Sequence, residues 1–329
     1  MHLSKTAACL LLSCSLLVAQ SRPATDAARS VRLEFDFETA IREGFVPPGS
    51  SMADLLARAS TVVTARLASL QIEGAKVTSE PPRAVLVVLP QLSPKEQERA
   101  RRLLALPGRL EFWMVADREP EAVALSRTEL QVWLTEPGQR ELVLADPRVL
   151  GTFRAKRAPT IRWALHKIAP QPGKGKWDHT YSRMSVVAPC VLPLFTAAEF
   201  DAAPPSDSAR LFELVALDGD DAIESGQDLD ADQIRAERTA DGQVVLRLAF
   251  RNEKIAEHAA ITRGAVGHCQ AIVQDGVILS APRFESAIVN GKSQIHGCLE
   301  LEETELLALA LRAGALPLAP LVKIGPLAK

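Results

Sequence analysis

The sequence predicts an α+β fold with two folded units. The chain has 329 residues, of which 47% are hydrophobic and 24% are charged, as is usual for a protein that buries a core. Residues 31–37 alternate apolar and polar side chains, which is the period of a half-buried strand. Apolar residues between Met52 and Leu70 then recur with helical spacing. A second strand-rich stretch, with a hairpin signal at residues 274–276, lies near the C-terminus.

The first unit, residues 24–116, has six predicted elements. Ser93 and Pro94 indicate the start of its second helix, since serine caps helices and proline favours the first helical position. The strands are predicted at residues 31–37, 75–78, 84–89 and 110–115, and the helices at residues 52–70 and 93–106. This βαββαβ order is typical of a ferredoxin-like sandwich, in which two helices cover one face of a four-stranded sheet.

The rest of the chain is less regular at first and then regains clear elements. Residues 117–210 contain many prolines and show no strong period, so we predict a Pro-rich connector with decorations. Residues 211–317 combine strands, a hairpin and two helices, which predicts a second α+β domain. The formal net charge of −2 and the pI near 6.3 provide no basic surface, and this excludes nucleic acid as an expected partner.

The N-terminus has the pattern of a secretory signal. Lys5 precedes an apolar run that ends at Ala19, and this run is too short to span a bilayer, which needs about 20 apolar residues. We predict cleavage after Ala19, so that residues 1–19 are a signal peptide. The alternative is a lipoprotein signal, in which Cys14 becomes the acylated first residue and supplies the only membrane anchor.

The sequence contains no convincing catalytic, cofactor or metal motif. Asp228, Asp230 and Asp232 have the opening spacing of a calcium loop, but Gln233 stands where the loop needs glycine. We interpret this run as a solvated acidic turn. No pair of histidines has the spacing of a zinc site, and no nucleophile elbow or phosphate loop is present. The sequence therefore predicts a protein that is not an enzyme, without a cofactor.

The cysteines that follow the predicted signal are Cys190, Cys269 and Cys298. An exported protein meets an oxidising compartment, where one disulfide and one remaining thiol are the natural arrangement. We prefer the pair Cys269–Cys298, because both residues lie at predicted strand ends of the same small domain. Three buried, unpaired cysteines are the open alternative.

Residues 264–317 carry an ordered series of motifs: an Asp-Gly turn, a strand that ends in Ser-Ala-Pro, a Gln-Ile strand and the tail Leu-Arg-Ala-Gly-Ala-Leu-Pro. This series resembles the end of the first periplasmic domain of SecD, an accessory subunit of the bacterial Sec protein translocase. Residues 63–72 and 108–115 are similar to segments of the same family. The matching residues of the series include Asp275, Gly276, Ser280, Ala281, Pro282, Gln294, Gly297, Arg312, Ala313, Gly314 and Pro317.

The resemblance implies a base, formed by the first unit, and an inserted head at residues 211–317. It also implies that residues 318–329 return to the base as a strand. In function, it implies an exported module, in the periplasm or on the outer face of the inner membrane, that contacts unfolded polypeptide or a Sec membrane component. Arg29 and Ser30 stand where the family's Asp-Leu-Arg-Gly-Gly signature is expected. This departure favours the alternative, a stand-alone periplasmic binding or scaffold protein that retains only the fold.

We expect mass spectrometry of the mature protein to find Gln20 at its N-terminus, because Ala19 ends the predicted signal. A diacylated Cys14 would show the lipoprotein alternative instead. An intact Met1 on protein recovered from the cell envelope would contradict both.

Overall fold

The computed structural model describes residues 29–38, 46, 49–153, 155–168, 189–196, 199, 202, 211–296 and 300–326. The predicted signal with Cys14, and also Gly297 and Cys298, lie outside the described residues. The strands are β1 (Arg29–Glu34), β2 (Lys76–Glu80), β3 (Ala84–Leu89), β4 (Leu110–Val115), β5 (Ile161–Ile168), β6 (Val191–Pro193), β7 (Leu211–Asp218), β8 (Glu224–Ser225), β9 (Arg235–Arg238), β10 (Val244–Ala249), β11 (Gln270–Gln274), β12 (Val277–Ser280), β13 (Lys292–His296) and β14 (Leu321–Pro326). The helices are α1 (Met52–Ser69), α2 (Pro94–Ala105), α3 (Pro120–Leu134), α4 (Gln139–Ala145), α5 (Ile255–Gly264) and α6 (Leu301–Ala313).

The fold is α+β, as the sequence predicts, and it begins with a four-stranded antiparallel sheet in the order β14-β1-β3-β2. β1 is central, and its apolar side chains point to one face, where they pack with buried residues of α1 and α2. Ser93 caps α2 with a reciprocal capping box to Glu96, which explains why that helix begins at Pro94.

The strand at residues 110–115 was predicted to complete the four-stranded sheet, and this prediction is wrong. β4 pairs with β11, β7 and β8 in another sheet, and β14 takes the place beside β1. The burial of β4 on both faces explains why it lies in the other sheet. Phe112 and Trp113 point to opposite faces of the strand, and both are buried. A strand with two apolar faces needs cover on both sides, which the four-stranded sheet does not provide.

The second sheet has seven strands in the order β6-β7-β5-β12-β11-β4-β8. Because β7 also pairs with β4, strands β7, β5, β12, β11 and β4 form a closed ring. The turn between β11 and β12 holds Asp275 at φ 52° and Gly276 at φ 87°, the left-handed conformations of a tight hairpin turn. A three-stranded sheet, β13-β10-β9, and α6 pack on one side of this ring.

Residues 117–210 are more than the predicted connector. They supply α3, α4 and β5, and β5 pairs along its full length with β7 in the ring. α3 packs against the ring, where Ser126 accepts a hydrogen bond from the indole of Trp163 at 2.9 Å. Pro120 begins α3, and Pro137, Pro147 and Pro159 lie between α3, α4 and β5. These prolines interrupt the sequence pattern without preventing the regular segments. No helix within the described ranges is long and apolar enough to cross a membrane.

Arg66 of α1 joins the two halves of the molecule. Its guanidinium is fully buried and donates hydrogen bonds to four backbone carbonyls. Three belong to the end of α2 and the residues after it: Leu103 at 2.9 Å, Leu106, and Pro107 at 3.0 Å. The fourth is Gly314, after α6, at 3.2 Å. Burial lowers the pKa of Arg66 to about 10, and the negative charge of Asp275 opposes this shift.

Two connectors therefore meet at Arg66: residues 106–109, which lead from α2 to β4, and residues 314–320, which lead from α6 to β14. A direct bond from Leu316 N to Pro107 O, 2.8 Å long, also links them. Gly108 has φ 73°, and a Cβ there would lie 2.8 Å from Arg66 Nη2. This position therefore requires glycine for both its conformation and its space.

Side chains of α2 and α6 add a second contact between the halves. Leu103 packs with Leu306 and Ala310 in a small buried cluster. At its exposed margin, Arg99 pairs with Glu305 at 3.0 Å, and Arg102 lies near two further carboxylates of α6. Exposed ion pairs of this kind contribute little to stability, so the apolar cluster and Arg66 provide most of the stabilisation between the halves.

Cys190 and Cys269 are buried, and neither forms a disulfide with another described residue. Burial raises the pKa of each thiol to about 11, with a smaller contribution from the charge of Asp117. Since Cys298 lies outside the described residues, the pairing of Cys269 with Cys298 stays a prediction.

We expect Arg66→Met to lower the free energy of unfolding by more than about 3 kcal/mol, because leaving a buried acceptor without its partner costs about 1–3 kcal/mol. Urea unfolding measures the change. Arg58→Met is the matched control, since Arg58 is exposed on the same helix and its loss should cost less than about 0.5 kcal/mol. Equal losses for the two variants would contradict the role of Arg66.

We expect Cys190 and Cys269 to resist iodoacetamide in the native protein at about pH 8, because burial and a raised pKa leave little exposed thiolate. Peptide mass spectrometry after labelling in denaturant, with and without reductant, then tests the pairing. If Cys269 reacts in denaturant alone, it is not in a disulfide. If it reacts only after reduction, the predicted pair with Cys298 is supported.

Candidate functional site

A cavity of about 360 Å³ opens between the ring and the connector that follows α6, and we call it the junction pocket. Its walls come from β4, β5, β7 and β11, from the turn after β7, and from both connectors. The lining residues are Pro107, Arg109, Glu111, Trp113, Pro147, Arg162, Trp163, Ala164, Leu217, Asp220, Asp221, Ala222, Val273, Asp275, Gly276, Leu316, Pro317, Leu318 and Ala319.

Strand pairing explains why residues that are distant in sequence line one pocket. Leu217 of β7 lies opposite Arg162 on β5 and opposite Val115 on β4. Trp113 is two residues from Val115, and alternate residues of a strand share a face. Arg162 and Trp113 therefore meet, and the guanidinium carbon lies 5.3 Å from the indole centroid in a cation–π contact.

Asp275 is fixed where the β11–β12 turn meets the first connector. Its carboxylate accepts hydrogen bonds from the backbone N–H groups of Arg109 at 2.8 Å and Gly108 at 3.4 Å. Burial nevertheless raises the pKa of Asp275, and these hydrogen bonds and the charge of Arg66 only partly oppose the shift. Asp275 therefore ties the hairpin turn to the connector that Arg66 holds from the other side.

The other charged groups of the pocket differ in how they are paired. Arg109 forms an ion pair with Glu111 at 2.5 Å, and Glu111 also accepts a hydrogen bond from the indole of Trp113 at 3.4 Å. Asp220 and Asp221 are exposed, and neither has an ion pair within the described part of the chain. The pocket thus combines an apolar wall with free carboxylates on its exposed side.

This arrangement offers a ligand an apolar surface beside carboxylates. Three histidines pair with carboxylates elsewhere: His166 with Glu213, His258 with Glu224, and His268 with Asp117, each at 2.8 Å. None of these six residues lines the pocket. Among the described residues, no group of three or more histidine, cysteine or acidic side chains is placed to hold a metal ion.

The motif residues from the sequence fall into two groups. Asp275, Gly276 and Pro317 line the junction pocket, and Gly314 accepts a hydrogen bond from Arg66. The second group lies away from the pocket: Ser280, Ala281, Pro282, Gln294, Arg312 and Ala313. Of these, Pro282 accepts a backbone bond from Gln270, and Gln294 lies opposite Arg247 in the three-stranded sheet.

Sequence reasoning missed Trp113, Arg162 and the acidic pair at Asp220 and Asp221. A tryptophan within each of two strand-like segments, Glu111-Phe112-Trp113 and Arg162-Trp163, was the available signal. Aromatic residues in strands most often pack in a core, and so this signal does not distinguish a pocket wall from a core without the strand pairing.

Residues 209–318 match the family model described as SecDF, P1 head subdomain. The protein translocase subunit SecD of Acidaminococcus fermentans is 35% identical over 107 residues, which cover 32% of this chain and 25% of that protein. The subunit SecDF of Thermus thermophilus is 36% identical over 89 residues, which cover 26% of this chain and 12% of that protein. The chain thus spans a quarter or less of the length of these relatives.

Two solved structures share the fold. A crystal structure of SecDF in a super-membrane-facing form matches with a TM-score of 0.53 and 21% identity, over 90% of this chain and 30% of that one. A structure of a membrane component SecDF that enhances protein export matches with a TM-score of 0.52 and 20% identity, over 91% of this chain and 99% of that one. Together with the family model and the curated relatives, this likeness confirms the resemblance found in the sequence. These matches support a SecD-family domain in this chain, with the region similar to the SecDF P1 head subdomain at residues 209–318.

Proposed function

We propose that this chain is an exported SecD-like module that assists protein translocation by non-catalytic contact with unfolded polypeptide. The observation that carries the proposal is the match of residues 209–318 to the SecDF P1 head. The SecD relatives imply a role associated with protein translocation. The N-terminal signal pattern supports export to the periplasm or the outer face of the inner membrane, as a free protein or one anchored through Cys14.

The proposed architecture is a ferredoxin-like base with an inserted head. The strand order β14-β1-β3-β2, with α1 and α2 on one face, supports this base. In this arrangement, the chain leaves the base after α2, passes through residues 117–210, forms the head at residues 211–317, and returns to the base through β14. The junction pocket then lies where the head meets the returning connector.

The junction pocket is the proposed contact site. It offers an apolar wall that includes Trp113, Leu217 and Val273, and its volume of about 360 Å³ suits one or two side chains of an extended segment. We expect affinity in the micromolar range, about −8 kcal/mol, because an unfolded chain loses conformational freedom when it docks. Since the head and the returning connector both wall the pocket, a change in their relative position alters its width.

A stand-alone periplasmic binding or scaffold protein is the second candidate. The departure at Arg29 and Ser30 from the family signature favours it. Crosslinking in intact cells, followed by purification of this chain, distinguishes the two candidates. A Sec membrane component in the crosslinked product supports the translocation role, whereas its absence, with other envelope proteins captured instead, supports the second candidate.

We expect a photoreactive amino acid in place of Ala319, which lines the pocket, to crosslink to an unfolded secretory precursor. The same amino acid in place of Ala57, an exposed residue of α1 outside the pocket, is the matched control. The folded form of the precursor should crosslink at neither position. Equal crosslinking at the two positions, or equal crosslinking of folded and unfolded precursor, would contradict the proposed contact site.

A further inference from the structure

We propose that the junction pocket prefers polypeptide segments in which a lysine or arginine side chain is flanked by apolar residues. This inference rests on the proposed function, since it specifies which part of an unfolded chain the pocket takes. It follows from three properties of the pocket: its apolar wall, the pairing of its own cations, and its free carboxylates.

The first property is the wall. Trp113 and Val273 lie on ring strands, and Leu316, Pro317 and Leu318 face them from the returning connector. Burial of apolar surface drives binding to such a wall but does not distinguish one apolar side chain sharply from another. Discrimination must therefore come from the charged groups.

The second property is that both lining cations are already engaged. Arg109 is neutralised by Glu111 at 2.5 Å. The guanidinium of Arg162 lies over the face of Trp113, 5.3 Å from the centroid. This contact also shows that a guanidinium fits against the pocket wall, so the structure itself contains the kind of group that we propose for the ligand.

The third property is an excess of carboxylates. The lining contains more carboxylates than guanidiniums. The carboxylates are those of Glu111, Asp220, Asp221 and Asp275, and the guanidiniums are those of Arg109 and Arg162. Asp275 is held by backbone N–H groups, whereas Asp220 and Asp221 are exposed and have no ion pair within the described part of the chain. With four carboxylates and two guanidiniums in the lining, the net charge that meets a ligand is negative, which attracts a cationic side chain and repels an acidic one.

Three matched synthetic peptides test the preference against the full chain by fluorescence anisotropy. They share one unstructured apolar sequence and differ only in carrying lysine, glutamine or glutamate at two positions. We expect the lysine peptide to bind roughly threefold to tenfold more tightly than the glutamine peptide, and the glutamate peptide to bind most weakly. High salt should reduce the difference, since exposed charges are screened.

The double variant Asp220→Asn/Asp221→Asn should bring the lysine and glutamine affinities close together and leave the glutamine affinity unchanged. Asp232→Asn/Asp241→Asn removes two exposed carboxylates that do not line the pocket, and it should keep the full preference. Equal binding of lysine and glutamate peptides, or a preference that survives the first variant, would overturn this inference alone. Failure of all three peptides to bind would remove the proposed function with it.

Discussion

The buried guanidinium of Arg66 is the interaction on which the arrangement of the molecule depends. Burying a charged group costs free energy unless new hydrogen bonds replace those that it made with water. The guanidinium of Arg66 makes such hydrogen bonds to the carbonyls of Leu103, Leu106, Pro107 and Gly314. These carbonyls lie in the last turn of α2 or just after α2 and α6, where helices leave acceptors unsatisfied. One side chain of α1 thus binds backbone carbonyls on both segments that connect the two sheets, the one after α2 and the one after α6.

The hydrogen bonds of Arg66 determine the shape of the junction pocket. Arg66 fixes Pro107 and Gly314, the bond from Leu316 to Pro107 aligns the connectors, and Asp275 binds the backbone of the first connector. Leu316 and Asp275 both line the pocket. Its walls are therefore positioned by backbone hydrogen bonds to buried groups. A pocket built this way can tolerate varied side chains on its exposed side without loss of its form.

Local pattern predicted most elements correctly but not their partners. The capping box at Ser93 and the Asp275-Gly276 turn are local, so the sequence was sufficient to place them. The sequence was not sufficient to predict the pairing of β4. A short, largely apolar strand fits several sheets, and only the long-range pairing with β11, β7 and β8 places β4 where both Phe112 and Trp113 are buried. In the same way, β5 lies in a proline-punctuated region whose long-range pairing with β7 gives no short-range signal.

The same distinction explains what could be predicted of the site. Asp275, Gly276, Gly314 and Pro317 belong to short motifs, and the structure places all four at Arg66 or at the pocket. Trp113, Arg162 and Asp220 belong to three separate strands or turns, and only the closed ring brings them together. The motif residues fix where the pocket is, while these scattered residues determine its charge and its aromatic wall. A chain can therefore keep the geometry of this junction and still differ in the charge and the aromatic surface of its pocket.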